Sequence, residues 1–84
     1  MTEYIPLDHT GKILKEEFLD EMDISQNALA KAIHVPANRI HQIVKGERRI
    51  TPDTDLRLTK YFGLSEGFFL RLQDDYETRI TKRK

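Results

Sequence analysis

Residues 24–46 read ISQNALAKAIHVPANRIHQIVKG, a run with helical apolar spacing on both sides of His34-Val35-Pro36. That tripeptide constrains the fold more than any other feature of the chain. Proline has no N–H to donate and pushes the residue before it out of the helical region, so one continuous helix is excluded. The same proline suits the first turn of a new helix, where a missing N–H leaves nothing unsatisfied. The run therefore reads as two short helices joined by a tight turn. The first takes Ser25 as its N-cap, extends to about Ile33 and buries Leu29, Ala30 and Ile33. The second extends from about Pro36 to Val44, with Ile40 and Ile43 inward and Gly46 at the left-handed stop position.

The same period extends outward from this pair, and no stretch shows strand alternation. Thr10 is placed to cap a first helix whose apolar stripe is Ile13, Leu14, Phe18 and Leu19, ending near Met22-Asp23. Thr51-Pro52-Asp53 supplies a cap, a proline at the first helical position and an acid in the first turn. Leu56, Leu58, Tyr61 and Phe62 follow on that helix, and Gly63 stops it. Ser65 is expected to cap a fifth helix carrying Phe68, Phe69, Leu72 and Tyr76. A chain of 84 residues makes one domain with a single small core. The expected fold is all-α, five helices around residues 9–77, with 78–84 a flexible basic tail that has lost all periodicity. There is no cysteine, no signal peptide and no apolar run near the roughly 20 residues of a membrane span. A soluble cytoplasmic domain without membrane association is expected.

The formal net charge is zero, which alone argues against a nucleic-acid partner. Its distribution argues the other way. Residues 3–23 balance to −5, residues 24–51 to +4, residues 52–78 to −3 and residues 79–84 to +4. A basic middle between acidic flanks points to one anion-facing surface.

Catalytic and metal chemistry find no support. His9, His34 and His41 show neither HExxH nor i,i+4 ligand spacing. Gly11, Gly46, Gly63 and Gly67 are scattered at helix ends or starts, so no glycine loop cradles phosphate. Ser25 and Ser65 are explained as caps, without the base and orienting acid that a nucleophile needs. No enzyme activity, metal or cofactor is expected.

Two helices joined by a tight turn, the second opening on Ala37-Asn38-Arg39, form the helix-turn-helix arrangement. In that geometry the second helix enters the DNA major groove and its first residues reach base edges. SQNALAKAIHVPANRIHQIVKGERRIT resembles the DNA-binding domain of the phage repressor/Cro type, the xenobiotic-response-element family, with a lambda-repressor-like fold and a helix-turn-helix at about residues 25–44. Outside the motif, HTGKILKEEF (9–18) and ITPDTDLRLTKYFGLSEGFFLRLQDDYETR (50–79) resemble HigA-type antitoxins over nearly the whole chain. Three positions depart from that pattern. Thr10 stands where proline is usual, Phe69 where tryptophan is usual, and His34 where the turn often holds glycine.

The resemblance implies roles position by position. Ala37, Asn38 and Gln42 are candidates for base edges: asparagine can meet adenine bidentately, and alanine offers a methyl to thymine. His41 lies beside them and is counted with the base contacts. Ser25 and Gln26 are candidate phosphate clamps, and Arg39, Lys45, Arg48 and Arg49 candidate phosphate contacts. The implied partners are operator DNA read by a homodimer, with Phe68, Phe69, Leu72 and Tyr76 as interface candidates. A HigB/RelE-like mRNA endonuclease toxin is also implied, and Glu16, Glu17, Asp20 and Glu21 are the residues placed to meet a basic partner. A solitary regulator, or an interaction module that no longer binds DNA, are the alternatives.

Overall fold

The computed structural model describes residues 9–83, and among these there are helices and no strands. The first helix, α1, begins as Thr10–Ile13, widens into π-type turns over Leu14–Leu19, and closes as Asp20–Met22. It is followed by α2 (Gln26–Ala32), α3 (Ala37–Val44), α4 (Pro52–Phe62) and α5 (Phe68–Arg83). None of these helices is long and apolar enough to cross a membrane.

The widening of α1 explains its apolar pattern. Within it the Asp20 N–H donates to the Lys15 carbonyl, five residues back. A five-residue repeat brings residues five apart onto nearly one face. Leu14 and Leu19 are accordingly both enclosed, and Phe18 packs on the core beside them. The cap of α1 is His9 rather than Thr10: His9 Nδ1 accepts from the Lys12 N–H at 3.1 Å. Thr10 is instead the first helical residue, and its buried hydroxyl has no hydrogen-bond partner among the described residues. An orphaned hydroxyl costs about 1–3 kcal/mol. His9 already has the extended backbone (φ −69°, ψ 162°) that a following proline requires. Thr10→Pro is therefore expected to raise stability by about 1 kcal/mol, measured as a shift of the urea midpoint with unchanged slope.

Each of the first four helices ends in the same way. The N–H of Ile24, Val35, Glu47 or Leu64 reaches back to the carbonyl of Leu19, Ala30, Gln42 or Thr59, across a left-handed residue. This is the Schellman closure. The left-handed positions are Asp23, His34, Gly46 and Gly63. Two glycines sit there without strain; Asp23 (φ 57°) and His34 (φ 61°) are the non-glycine exceptions among the described residues. At the α2–α3 turn, Val35 tucks into the core and Pro36 serves as N-cap of α3 rather than its first residue. Arg57 on α4 braces the turn by donating to the Ile33 carbonyl at 2.9 Å. The exposed His34 side chain contributes nothing to offset its backbone strain, so His34→Gly is expected to stabilise by up to about 1 kcal/mol. Thermal unfolding of the two proteins side by side checks this.

On α4 the buried face is Thr54, Asp55, Leu58 and Thr59, joined by Phe62. Leu58, Phe62, Leu56 and Tyr61 all lie on this helix as expected, but Leu56 (48 % exposed) and Tyr61 (42 % exposed) project from the opposite side of the 3.6-residue period. Asp55 performs the task expected of Ser65. Its carboxylate accepts from the N–H groups of Gly67 (2.7 Å), Phe69 (3.0 Å) and Leu70 (3.3 Å), closing the start of α5 from a neighbouring helix. Ser65 offers its carbonyl to the Phe68 N–H. Phe69, fully enclosed, meets Phe18 edge-on at 5.5 Å between ring centres, and Phe18 meets Phe62 at 5.0 Å. These rings join α1, α4 and α5 around one core.

Helix α5 does not stop at residue 77. It continues to Arg83, with an i,i+4 ion pair between Asp75 and Arg79 at 3.1 Å. Such pairs and straight-chain residues sustain helix where the apolar period has ended. Residues 78–83 thus continue the helix; Lys84 lies outside the described residues.

Candidate nucleic-acid interface

Helix α3 is seated by Ile40 and Ile43, with Ala37 and Val44 packed around them. Gly11 of α1 allows a close approach beneath it: a Cβ on Gly11 would fall 1.7 Å from the Ile43 carbonyl oxygen. With that side inward, Asn38 is exposed and its side chain makes no hydrogen bond among the described residues, and the half-buried Gln42 stands one turn on along the same face. Gln42 Oε1 accepts from the Arg48 guanidinium at 3.3 Å, which lays Arg48 along the helix end. Ala37 is half-buried and its methyl packs against the core, so little of it remains for a thymine.

At the start of α2, Ser25 Oγ accepts from the Ala28 N–H at 3.0 Å, which leaves its O–H able to donate outward. Gln26 and Asn27 follow it. His41, expected to face a base, is turned toward these amides instead. Its Nδ1 lies 2.6 Å from Gln26 Oε1 and its Nε2 3.1 Å from Asn27 Oδ1. Both ring nitrogens therefore face side-chain amides of α2, one able to donate and the other to accept.

The basic residues fall into two groups. Arg39 and Lys45 have no ion-pair partner among the described residues. Arg49 does: its guanidinium grips Glu77 of α5 through Nε at 2.6 Å and a second nitrogen at 2.9 Å. The hydrogen bonds from Arg49 hold the Glu77 carboxyl below the usual carboxylate range, and Glu77 in turn raises the Arg49 guanidinium. A lowered acid contributes its stability at neutral pH and loses it as pH falls through the lowered value. The same loop is anchored next door. The Ile50 N–H donates to Gln73 Oε1 at 2.7 Å, and Gln73 Nε2 donates back to the Ile50 carbonyl at 2.9 Å. Two residues of α5 thus fix the loop that carries Arg48 and Arg49. Nothing local in the sequence marks Gln73 or Glu77 for this role; their partners lie 23 and 28 residues away.

The toxin-facing and interface candidates lie on α1 and α5. Glu16, Glu17, Asp20 and Glu21 are exposed on α1, with Asp20 paired to Lys15 at 3.0 Å. Of the interface candidates on α5, Phe69 is wholly inside the core, so its side chain does not reach the surface. Phe68, Leu72 and Tyr76 are half-buried, Phe68 against Phe18 and Tyr76 against the His9 ring.

Two short helices joined by a tight left-handed turn, the polar Asn38–Gln42 face of the second and a braced basic loop define a helix-turn-helix domain. A helix-turn-helix family model matches residues 14–69. The chain is 44% identical over 79 residues to virulence-associated protein I of Dichelobacter nodosus, covering 94% of this chain and 73% of that one. It is 33% identical over 72 residues to antitoxin HigA-1 of Vibrio cholerae, covering 82% and 68%. The solved structure of Pseudomonas aeruginosa antitoxin HigA with the higBA promoter superposes with a TM-score of 0.85 at 41% identity, covering 90% of this chain and 83% of that one. The chain belongs to the HigA-type antitoxins of the helix-turn-helix family.

Proposed function

We propose that this protein binds its own operator as a homodimer and neutralises a HigB/RelE-like mRNA endonuclease toxin. The observation that carries the DNA half of this reading is the face of α3 with exposed Asn38 and half-buried Gln42, on a helix whose other side is locked by Ile40 and Ile43. Asn38 and Gln42 read base edges there, while Ser25, Gln26, Arg39, Lys45 and Arg48 grip phosphates on either side. The relative from P. aeruginosa was solved with promoter DNA, which supports the same use of this surface. One such module buries little surface, and two-fold dimers reading half-sites about 34 Å apart are the usual remedy. The exposed acids of α1 supply charge complementary to a basic RNA-cleaving partner.

A titration against duplex from immediately upstream of the gene, with excess competitor and at two salt concentrations, tests the DNA half. Saturable binding that survives competitor and falls steeply with salt is expected, with light scattering reporting a dimer. Binding no tighter than to random duplex would overturn it. Co-purification with the product of the neighbouring gene tests the toxin half, and failure to associate would leave a plain repressor.

Glu77 bears on the same surface, since its carboxylate occupies Arg49 much as a phosphate would. Glu77→Gln is expected to free that guanidinium and tighten operator binding several-fold. The salt dependence should steepen by about one phosphate contact, close to 0.9 in the slope. Weaker binding with an unchanged slope would mean that Glu77 aims Arg49 rather than competing for it.

A further inference from the structure

We infer that His41 is a positioning residue, which acts by locking the side-chain amides of Gln26 and Asn27 at the edge of the DNA-facing surface rather than by touching a base. The inference rests on the operator-binding reading above. Its geometry is that of a bridge between two helices: one imidazole on α3, half-buried, meets the first two residues of α2 at 2.6 and 3.1 Å. A neutral ring donates through one nitrogen and accepts through the other, so with Nδ1–H on the Gln26 oxygen the Asn27 amide turns its NH2 to Nε2, and neither nitrogen remains to approach a base edge. An amide is planar, with its oxygen and its NH2 group on opposite sides. Once the Gln26 oxygen is held against the ring, the two N–H bonds of that amide face away from it, free to donate to a phosphate. A glutamine side chain left to itself loses substantial rotamer freedom on binding. Here the ordering is done before DNA arrives, and preorganisation of this kind is felt as affinity.

The contribution is therefore independent of base sequence. His41→Ala is expected to weaken binding by about 3- to 10-fold, the worth of one or two neutral hydrogen bonds. The loss should be equal across a panel of operators altered one base pair at a time. In a Gln26→Ala/Asn27→Ala background the same substitution should cost almost nothing, because there is no amide left to position. His41→Asn places an N–H close to where Nδ1–H stood and should recover much of the loss through Gln26 alone. A loss confined to one base pair, or one of the same size in the background without the amides, would overturn the inference in favour of direct reading. NMR relaxation of the Gln26 and Asn27 side-chain amides in the free protein separates this from the parent reading. Amides ordered in the wild type and mobile in His41→Ala support the bridge even if operator binding fails; amides equally mobile in both proteins would overturn it.

Discussion

Asp55→Ala is expected to lower stability by about 4 kcal/mol, a large part of the 5–15 kcal/mol typical of a domain. Asp55 is 1 % exposed and its carboxylate accepts three N–H groups at the opening of α5. Hydrogen bonds to a charged acceptor are worth about 1.5–3 kcal/mol each, and the carboxylate also meets the positive end of the α5 dipole. The sum is not additive, since the Gly67 N–H is only half-buried and water can reach it. Phe69 is placed by the same contacts, so part of the aromatic core loosens when they are lost. The melting temperature should fall by roughly 20 °C or more, at 4–8 °C per kcal/mol for a domain of this size. Asp55→Asn should lose about half as much, because one acceptor oxygen survives while an NH2 group now opposes a backbone N–H. Ser65→Ala is the internal control and should cost under about 0.5 kcal/mol. If Ser65→Ala proved the costlier change, the carboxylate would be the wrong account of how α5 begins.

Gly11→Ala should destabilise by about 3 kcal/mol or more, although alanine is the better helix former by about 1 kcal/mol. The added methyl would meet the Ile43 carbonyl oxygen at 1.7 Å, the Ile43 carbonyl carbon at 2.6 Å and Val44 Cα at 2.9 Å. All three are backbone atoms, so no side chain can swing aside. Helix α1 must instead lift from the end of α3. Since α3 and the loop after it carry Asn38, Gln42 and Arg48, operator binding should weaken along with stability. Chemical denaturation with an unchanged slope, run beside the DNA titration, checks both consequences. A substitution tolerated within about 0.5 kcal/mol would show that α1 and α3 do not approach so closely in solution.

The helix ends were the most legible part of this chain. Ser25 caps α2 and Thr51 caps α4, with Pro52 in the first turn, as their residue types predict. Gly46 and Gly63 stop α3 and α4 in left-handed conformations. Helix faces were less legible wherever a buried position is polar. The face of α4 follows a clean helical period through Thr54, Asp55, Leu58, Thr59 and Phe62. The apolar letters Leu56 and Tyr61 stand outside that face. In α1 the stripe residues Ile13, Leu14, Phe18 and Leu19 were visible, but the π-type turns that bring Leu14 and Leu19 inward together were not. His9 and Thr10 show how narrow a local reading can be. Both are able to cap, and the choice of His9 left Thr10 buried with an unused hydroxyl.

The sequence by itself determined where α2 and α4 begin and end, the break at Pro36 and the helix-turn-helix pair that follows from it. Those depend on contacts within about four residues, where residue type and spacing suffice. The tertiary structure alone decided which polar side chains hold the candidate site in place: Asp55 at the start of α5, Gln73 on Ile50, Glu77 on Arg49 and His41 on Gln26. Their partners lie 12, 23, 28 and 15 residues away. No period links residues so distant, and only the packing of one helix on another brings them within reach of a hydrogen bond.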